Sequence, residues 1–245
     1  MTISEASFNV YRSRKRALLD KVRPAVNELW DLIDENGLEV EAALTIYLPL
    51  IADRYGKAMA VMAADYFDES RTAAKVLGGY EPITSTGALW KVERDITYAF
   101  GDDFAYSSVQ DFLTASVAAA VEDYGRQTII DNSERDAQCG GYVSIPGANP
   151  CVFCIMKSLD SYRNFMGEPL ETEIAADAWH DNCTCTLQPL WEDAPTFVEE
   201  RYEEYKTAYE DGRAAAYTAL GRSQKLGLSA EEVMMGMRIA TGIQH

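Results

Sequence analysis

The placement of cysteine and histidine is the feature that most constrains how this chain can fold. The 245 residues include five cysteines and two histidines, and four of the cysteines and one histidine fall in two short windows. The first window, ANPCVFCIMKS, carries Cys151 and Cys154. The second, WHDNCTC, carries His180, Cys183 and Cys185. The resulting pattern, C-x2-C-x25-H-x2-C-x-C, predicts a metal-type cluster that joins two distant stretches of the chain.

Zinc is the ion that this pattern fits best. It prefers four nitrogen or sulfur ligands in a tetrahedron, and a C-x2-C turn presents two thiolates at a suitable separation. His180 with Cys183, or His180 with Cys185, would complete the shell, whereas four thiolates would leave His180 beside it. The segment CTCTLQPLW alternates as a strand does. We therefore expect Cys183 and Cys185 to share one strand face, because residues two apart point the same way.

A structural rather than catalytic metal follows from the size of the segment. A unit of about 50 residues with few strands buries little apolar surface, and it commonly needs a metal ion or disulfides as an additional cross-link, here called a staple. Structural Zn2+ would close the irregular loop between the two windows and fix its ends. Two alternatives remain open at this point. The cysteines could form disulfides after an assembly leaves the cell, or they could be small buried apolar side chains.

Catalytic interpretations fit the sequence less well. The zinc deaminase signature needs an H-x-E or C-x-E before its cysteine pair, and no histidine precedes His180. A redox C-x-x-C would leave the later histidine and cysteines unexplained. A cysteine–histidine nucleophile pair lacks a clear orienting acid. Phosphate-binding glycine motifs are also missing from the sequence. We predict that the chain is not an enzyme.

The charge is strongly acidic but unevenly placed. Net charge is −17 and the sequence pI is near 4.5, which opposes extensive binding to nucleic acid. One short segment is basic, with only Asp20 opposing it. It consists of Arg12, Arg14, Lys15, Arg16, Lys21 and Arg23. This segment is interpreted either as a solvated helix face or as a weak contact to DNA or an acidic partner.

The hydropathy pattern predicts an α+β fold that is mainly α. Apolar residues recur at helical spacing through the first half, and Pro24 marks either a kink or the first turn of a second helix. Ser85 or Thr86 is expected to cap a third helix. The clearest helix is expected from about Ser107 to Ala137, and its length would let it span a subunit or reach a neighbour. A short strand, GYVSI, then precedes the cysteines.

Three regions are predicted along the chain. Residues 1–138 form a helical region for docking, residues 139–192 a small Cys/His-stapled α+β domain, and residues 193–245 a helical tail. The sequence has no apolar run long enough for a membrane span and no signal-peptide core near its N-terminus. We therefore expect the protein to be made and to stay in a reducing cytoplasm, without membrane contact.

The cysteine-bearing segment resembles a phage family. CVFCIMKSLDSYR and WHDNCTCTLQPLW are similar to the C-terminal domain of Mu F-like (MuF-type) minor head proteins, especially the version in phages of actinobacteria. Cys151 and Cys154 match the first cysteine pair of that domain, and His180, Cys183 and Cys185 match its second group. The chain departs from the family in having HDN where His-Pro is frequent.

This resemblance implies a function as well as a fold. MuF-type proteins are implied to be virion or procapsid components that sit inside the head near the portal and assist head assembly, DNA packaging or DNA ejection. The implied partners are the portal protein, the major capsid or scaffolding protein, and possibly packaged DNA. No small-molecule substrate is expected. The alternative is a zinc- or thiol-dependent enzyme that acts in capsid maturation.

Overall fold

The structure, a computed structural model, describes residues 3–168, 170, 183–223 and 227–243. The predicted fold class is confirmed, because these residues form long helices and one small two-stranded sheet. The elements are α1 (Ile3–Leu19), α2 (Val22–Asn36), α3 (Val40–Ala73), α4 (Trp90–Ala99), α5 (Val109–Arg135), β1 (Gly141–Ile145), α6 (Val152–Phe165), β2 (Thr186–Leu190), α7 (Thr196–Leu220) and α8 (Ala230–Thr241). They fall into two compact units, Met1–Asp136 and Ala137–His245.

Helices α3 and α5 form the centre of the first unit. Helices α2 and α4 pack against both of them, and α1 packs on α3. The ring of Tyr124 is buried in α5, and its hydroxyl donates to the carboxylate of Asp53 at 2.8 Å. Gly56 makes room for this ring, since a Cβ there would lie 2.4 Å from Cδ2 of Tyr124. Helix α5 lies in the core of its own unit, and the alternative that it reaches a neighbouring subunit stays a prediction.

Helix ends in the first unit follow the sequence signals only in part. Pro24 lies in the first turn of α2, as one of the two alternatives predicted, and Gly37 ends that helix with φ of 60°. The predicted cap at Ser85 or Thr86 is wrong, because α4 begins at Trp90. Ser85 is used differently: its hydroxyl donates to Asp131 at 2.5 Å, and its backbone N–H donates to Thr128 at 3.0 Å.

In its described residues, the second unit contains a two-stranded sheet and three helices. Strands β1 and β2 pair antiparallel, with Gly141 opposite Leu190 and Ile145 opposite Thr186. Helix α6 packs beside β1, and the hydroxyl of Ser161 accepts the backbone N–H of Ser144 at 3.0 Å. The predicted strand GYVSI is confirmed as β1. The second predicted strand begins at Thr186, so the cysteines of the second window lie before it.

Helices α7 and α8 complete the core of the second unit. Tyr205 and Tyr209 of α7 are buried and pack in this core. Ser229 caps α8, and it forms a capping box with Glu232. Both helices pack against α6. This core therefore supports the helix that carries the first cysteine pair.

Candidate metal centre

The first cysteine pair lies at the N-terminus of α6. Cys151 is the N-cap residue in an extended conformation, and its sulfur accepts the backbone N–H of Cys154 at 3.4 Å. The side chain of Cys154 then points into the unit and is 5% exposed. Cys151 is half-buried. The C-x2-C spacing therefore places one thiol inside the unit and the other at its edge.

The second cysteine pair immediately precedes β2. Cys183 is 5% exposed and Cys185 is 1% exposed. The strand alternation that predicted a shared face does not apply to them, because regular β-structure starts at Thr186. Both side chains nevertheless enter the same cluster. Cys183 and Cys185 are therefore close together as predicted, but the segment before β2 brings them together and not the strand itself.

Three sulfur atoms meet at this place. The Sγ atoms of Cys154, Cys183 and Cys185 all lie within 4.8 Å of one another. The Cys154 and Cys183 sulfurs are 3.9 Å apart, and Cys151 packs against the group. A tetrahedral zinc site with Zn–S bonds of about 2.3 Å has sulfur–sulfur edges of about 3.8 Å. The three buried thiols therefore have the spacing and the donor chemistry to hold a metal ion.

Mutual contact and burial raise the pKa values of Cys154 and Cys185. Hydrogen bonding with Cys151, then with Cys183 and Cys185, raises the pKa of Cys154 far above its usual range, and burial adds to the rise. The hydrogen bond with Cys154 lowers the pKa of Cys185, but the one with Cys183 and burial outweigh it and raise that pKa to about 12. A bound cation reverses this preference, because a coordinating thiol is deprotonated and binding releases protons.

All five cysteines are free thiols in the structure. Cys139 stands apart from the cluster, and its thiol donates to the carbonyl oxygens of Gly141 at 3.2 Å and Leu190 at 3.1 Å. The disulfide alternative thus has no counterpart in this arrangement. His180 lies outside the described residues, so the ligand sets that include it stay predictions.

The basic segment is only partly at the surface. Lys15 is buried and pairs with Glu122 of α5 at 3.3 Å, so it does not contribute to the exposed cationic surface. The physical reason is that α1 turns this lysine toward an acidic side chain inside the helical unit. Arg23 is exposed but pairs with Asp111 at 2.8 Å.

The remaining basic side chains stay candidates for an external contact. Arg14, Arg16 and Lys21 are exposed, whereas Arg12 is half-buried with its guanidinium 5.4 Å from the ring centroid of Phe8. The exposed cationic surface is therefore smaller than the sequence indicates.

Sequence reasoning missed a group of polar residues on α6. Lys157 and Asp160 are buried and, with Ser161 and Asn164, line a cavity of about 250 Å3 beside β1. Their spacing of three and four residues was the available signal, because it places all four on one face of α6. The sequence alone gives no reason to expect that Lys157 and Asp160 are buried.

The comparisons with known proteins identify the family. A model of the VG15 protein family matches residues 2–211, which is most of the 245-residue chain. No curated protein and no solved structure matches. No helix in the described ranges has the length and apolar character needed to cross a bilayer. The chain therefore belongs to the VG15 protein family, a family of phage proteins, and is a structural protein of the virion.

Proposed function

We propose that this chain is a MuF-type minor head protein that acts structurally, inside the phage head near the portal. In this role it assists head assembly and DNA packaging or ejection. The observation that carries the proposal is the buried cluster of Cys154, Cys183 and Cys185 in a chain of a phage family. A C-x2-C pair that meets a later C-x-C pair is the arrangement that the MuF-type resemblance implies.

The accessibility of the thiols supports a structural rather than an enzymatic role. Each of the three clustered cysteines is at most 5% exposed. A nucleophilic or metal-activated thiol has to be reached by its substrate, and reactive cysteines accordingly lie in partly exposed sites. In our proposal the cluster holds structural Zn2+, which stiffens the second unit so that it presents one fixed surface.

An exposed aromatic group supports docking by the first unit. The rings of Tyr98, Phe104, Tyr106 and Phe112 lie with centroids 4.7–6.5 Å apart, at the end of α4 and the start of α5. Tyr98 is 38% exposed and Tyr106 is 52% exposed. Aromatic residues are enriched at protein interfaces, and exposed apolar patches mark interaction sites. We assign this aromatic group to contact with the portal or with capsid or scaffolding subunits.

Contact with packaged DNA is a minor part of the proposal. Arg14, Arg16 and Lys21 are the exposed cations of the basic segment that have no ion pair among the described residues. Three phosphate contacts at most would give weak binding that falls steeply with salt.

Fractionation of phage particles tests the proposed location. A phage that encodes an epitope-tagged chain is grown, proheads and mature virions are purified, and the tag is quantified in each. We expect the chain at low copy in proheads, and its loss from the particle when Tyr98 and Tyr106 are both replaced by Ala. A Tyr47→Ala variant removes an exposed tyrosine outside the aromatic group and serves as the control. Absence of the wild-type chain from both particles, despite its presence in the lysate, would refute the proposal.

A further inference from the structure

We propose that the metal is held by four thiolates, those of Cys151, Cys154, Cys183 and Cys185. This inference rests on the metal-stapled role proposed above and makes it specific. It chooses among the ligand sets that the sequence leaves open. Three sulfurs already lie together, so only the fourth ligand of the tetrahedron remains to be assigned.

Cys154 occupies the centre of the sulfur group. Its thiol lies 3.9 Å from that of Cys183, close to the edge of about 3.8 Å expected for a zinc tetrahedron. The Sγ atom of Cys185 lies within 4.8 Å of it, and Cys151 packs against the same group. One cysteine is therefore in contact with each of the other three, as a ligand in a four-sulfur shell has to be.

Cys151 is placed to supply the fourth sulfur. It packs against the other three cysteines, although its sulfur lies outside the set that is mutually within 4.8 Å. As the N-cap of α6 it accepts the N–H of Cys154, which fixes its backbone relative to the group. Rotation about the Cα–Cβ bond of Cys151 moves its sulfur from one staggered position to another. The described part of the chain offers no other cysteine to this cluster.

The ligand set determines which ion fits. Four thiolates are soft donors, which select Zn2+ and similar thiophilic ions over Mg2+ or Ca2+. One of these four ligands is more accessible to solvent than the others, because Cys151 is half-buried whereas the other three cysteines are buried. Cys151 should therefore be the first of the four to react with an alkylating reagent when the ion is removed.

Single substitutions with matched controls test the inference. Full-length chains are purified without oxygen and loaded with Zn2+ or Co2+. The variants are Cys151→Ser and His180→Ala. Cys139→Ser controls for loss of a half-buried cysteine outside the cluster, and His245→Ala controls for loss of the other histidine. Zinc content, zinc affinity and the thiolate-to-cobalt absorption are measured for each chain.

We expect His180→Ala and both controls to keep one ion per chain and the wild-type cobalt spectrum. Cys151→Ser should lose more than about 100-fold in zinc affinity, which exceeds the cost typical of outer hydrogen-bonding partners. Its thiolate-to-cobalt absorption should also fall. If Cys151→Ser does not fold, alkylation of the wild-type zinc form decides, with Cys139 modified and Cys151 protected.

Two results would overturn the inference, and they are distinguishable. Loss of affinity in His180→Ala, with an unchanged Cys151→Ser variant, would place the histidine in the shell and leave the metal staple standing. Failure of the wild-type chain to bind either ion would remove the staple itself, and the ligand assignment with it.

Discussion

At the scale of single residues, the side chain of Arg71 in α3 binds several buried polar groups at once. It is buried and pairs with Asp136 at 3.0 Å. Its guanidinium also donates to three consecutive carbonyl oxygens, those of Val76, Leu77 and Gly78, at 2.8–3.3 Å. Arg71 therefore holds the turn after α3 and the residue that follows α5.

Replacing Arg71 by Ala should destabilise the first unit by about 3–5 kcal/mol, because a buried carboxylate and three carbonyl groups lose their partner. Arg54→Ala, which removes an exposed arginine from the same helix, should change the free energy of unfolding by less than about 0.5 kcal/mol. Urea denaturation followed by circular dichroism measures both. Equal stability of the two variants would show that the buried pair contributes nothing.

Such pairs could not be predicted from the sequence. Asp136 is 65 residues from Arg71, and Glu122 is 107 residues from Lys15. A charged residue carries no local signal of its partner, so Lys15 was grouped with its exposed neighbours. The cysteines differ in this respect, because their rarity and spacing indicate a shared site.

At the scale of elements, the contact of α7 with α8 depends on two glycines. A Cβ on Gly236 would lie 2.0 Å from the carbonyl oxygen of Gly212 and 2.8 Å from Ala216. A Cβ on Gly212 would likewise lie 2.9 Å from the backbone of Met237. Because the opposing atoms include backbone, the helices cannot accept a side chain there without separating.

Gly236→Ala should therefore destabilise the second unit by about 1–3 kcal/mol, the usual cost of overpacking, despite the higher helix propensity of alanine. Gly227→Ala is the matched control, because nothing lies within 4 Å of a Cβ at that position. Its stability should equal or slightly exceed that of the wild type. Thermal unfolding of the two variants tests the prediction, and a Gly236→Ala variant as stable as Gly227→Ala would contradict it.

Element prediction succeeded where one pattern dominated and failed where tertiary contacts competed. Helical periodicity identified the helices of the first half correctly, and in α8 the side chain of Ser229 caps its helix. Ser85 has the same capping chemistry, yet its hydroxyl is bound by Asp131, 46 residues away. The alternation around Cys183 and Cys185 suggested a strand from Cys183, which in fact starts three residues later, because pairing with β1 begins at Thr186.

At the scale of the whole molecule, the sequence predicts where the cysteine cluster lies, but it does not predict every ligand in it. The two cysteine windows were predicted to meet, and Cys154, Cys183 and Cys185 do so. The fourth ligand was not determined, because spacing alone allows a histidine or a cysteine at that vertex. The polar face of α6 was missed, since its burial depends on packing that no local pattern encodes.

The central claim is that a metal ion in the cysteine cluster stabilises the second unit and not the first. Hydrogen exchange of the anaerobically purified, full-length chain, measured before and after removal of metal with a chelator, tests it most directly. The account predicts one ion per chain before treatment. After treatment it predicts loss of amide protection across β1, α6 and β2, with α3 and α5 unchanged. An ion-free chain whose β1, α6 and β2 are fully protected from the outset would contradict the account.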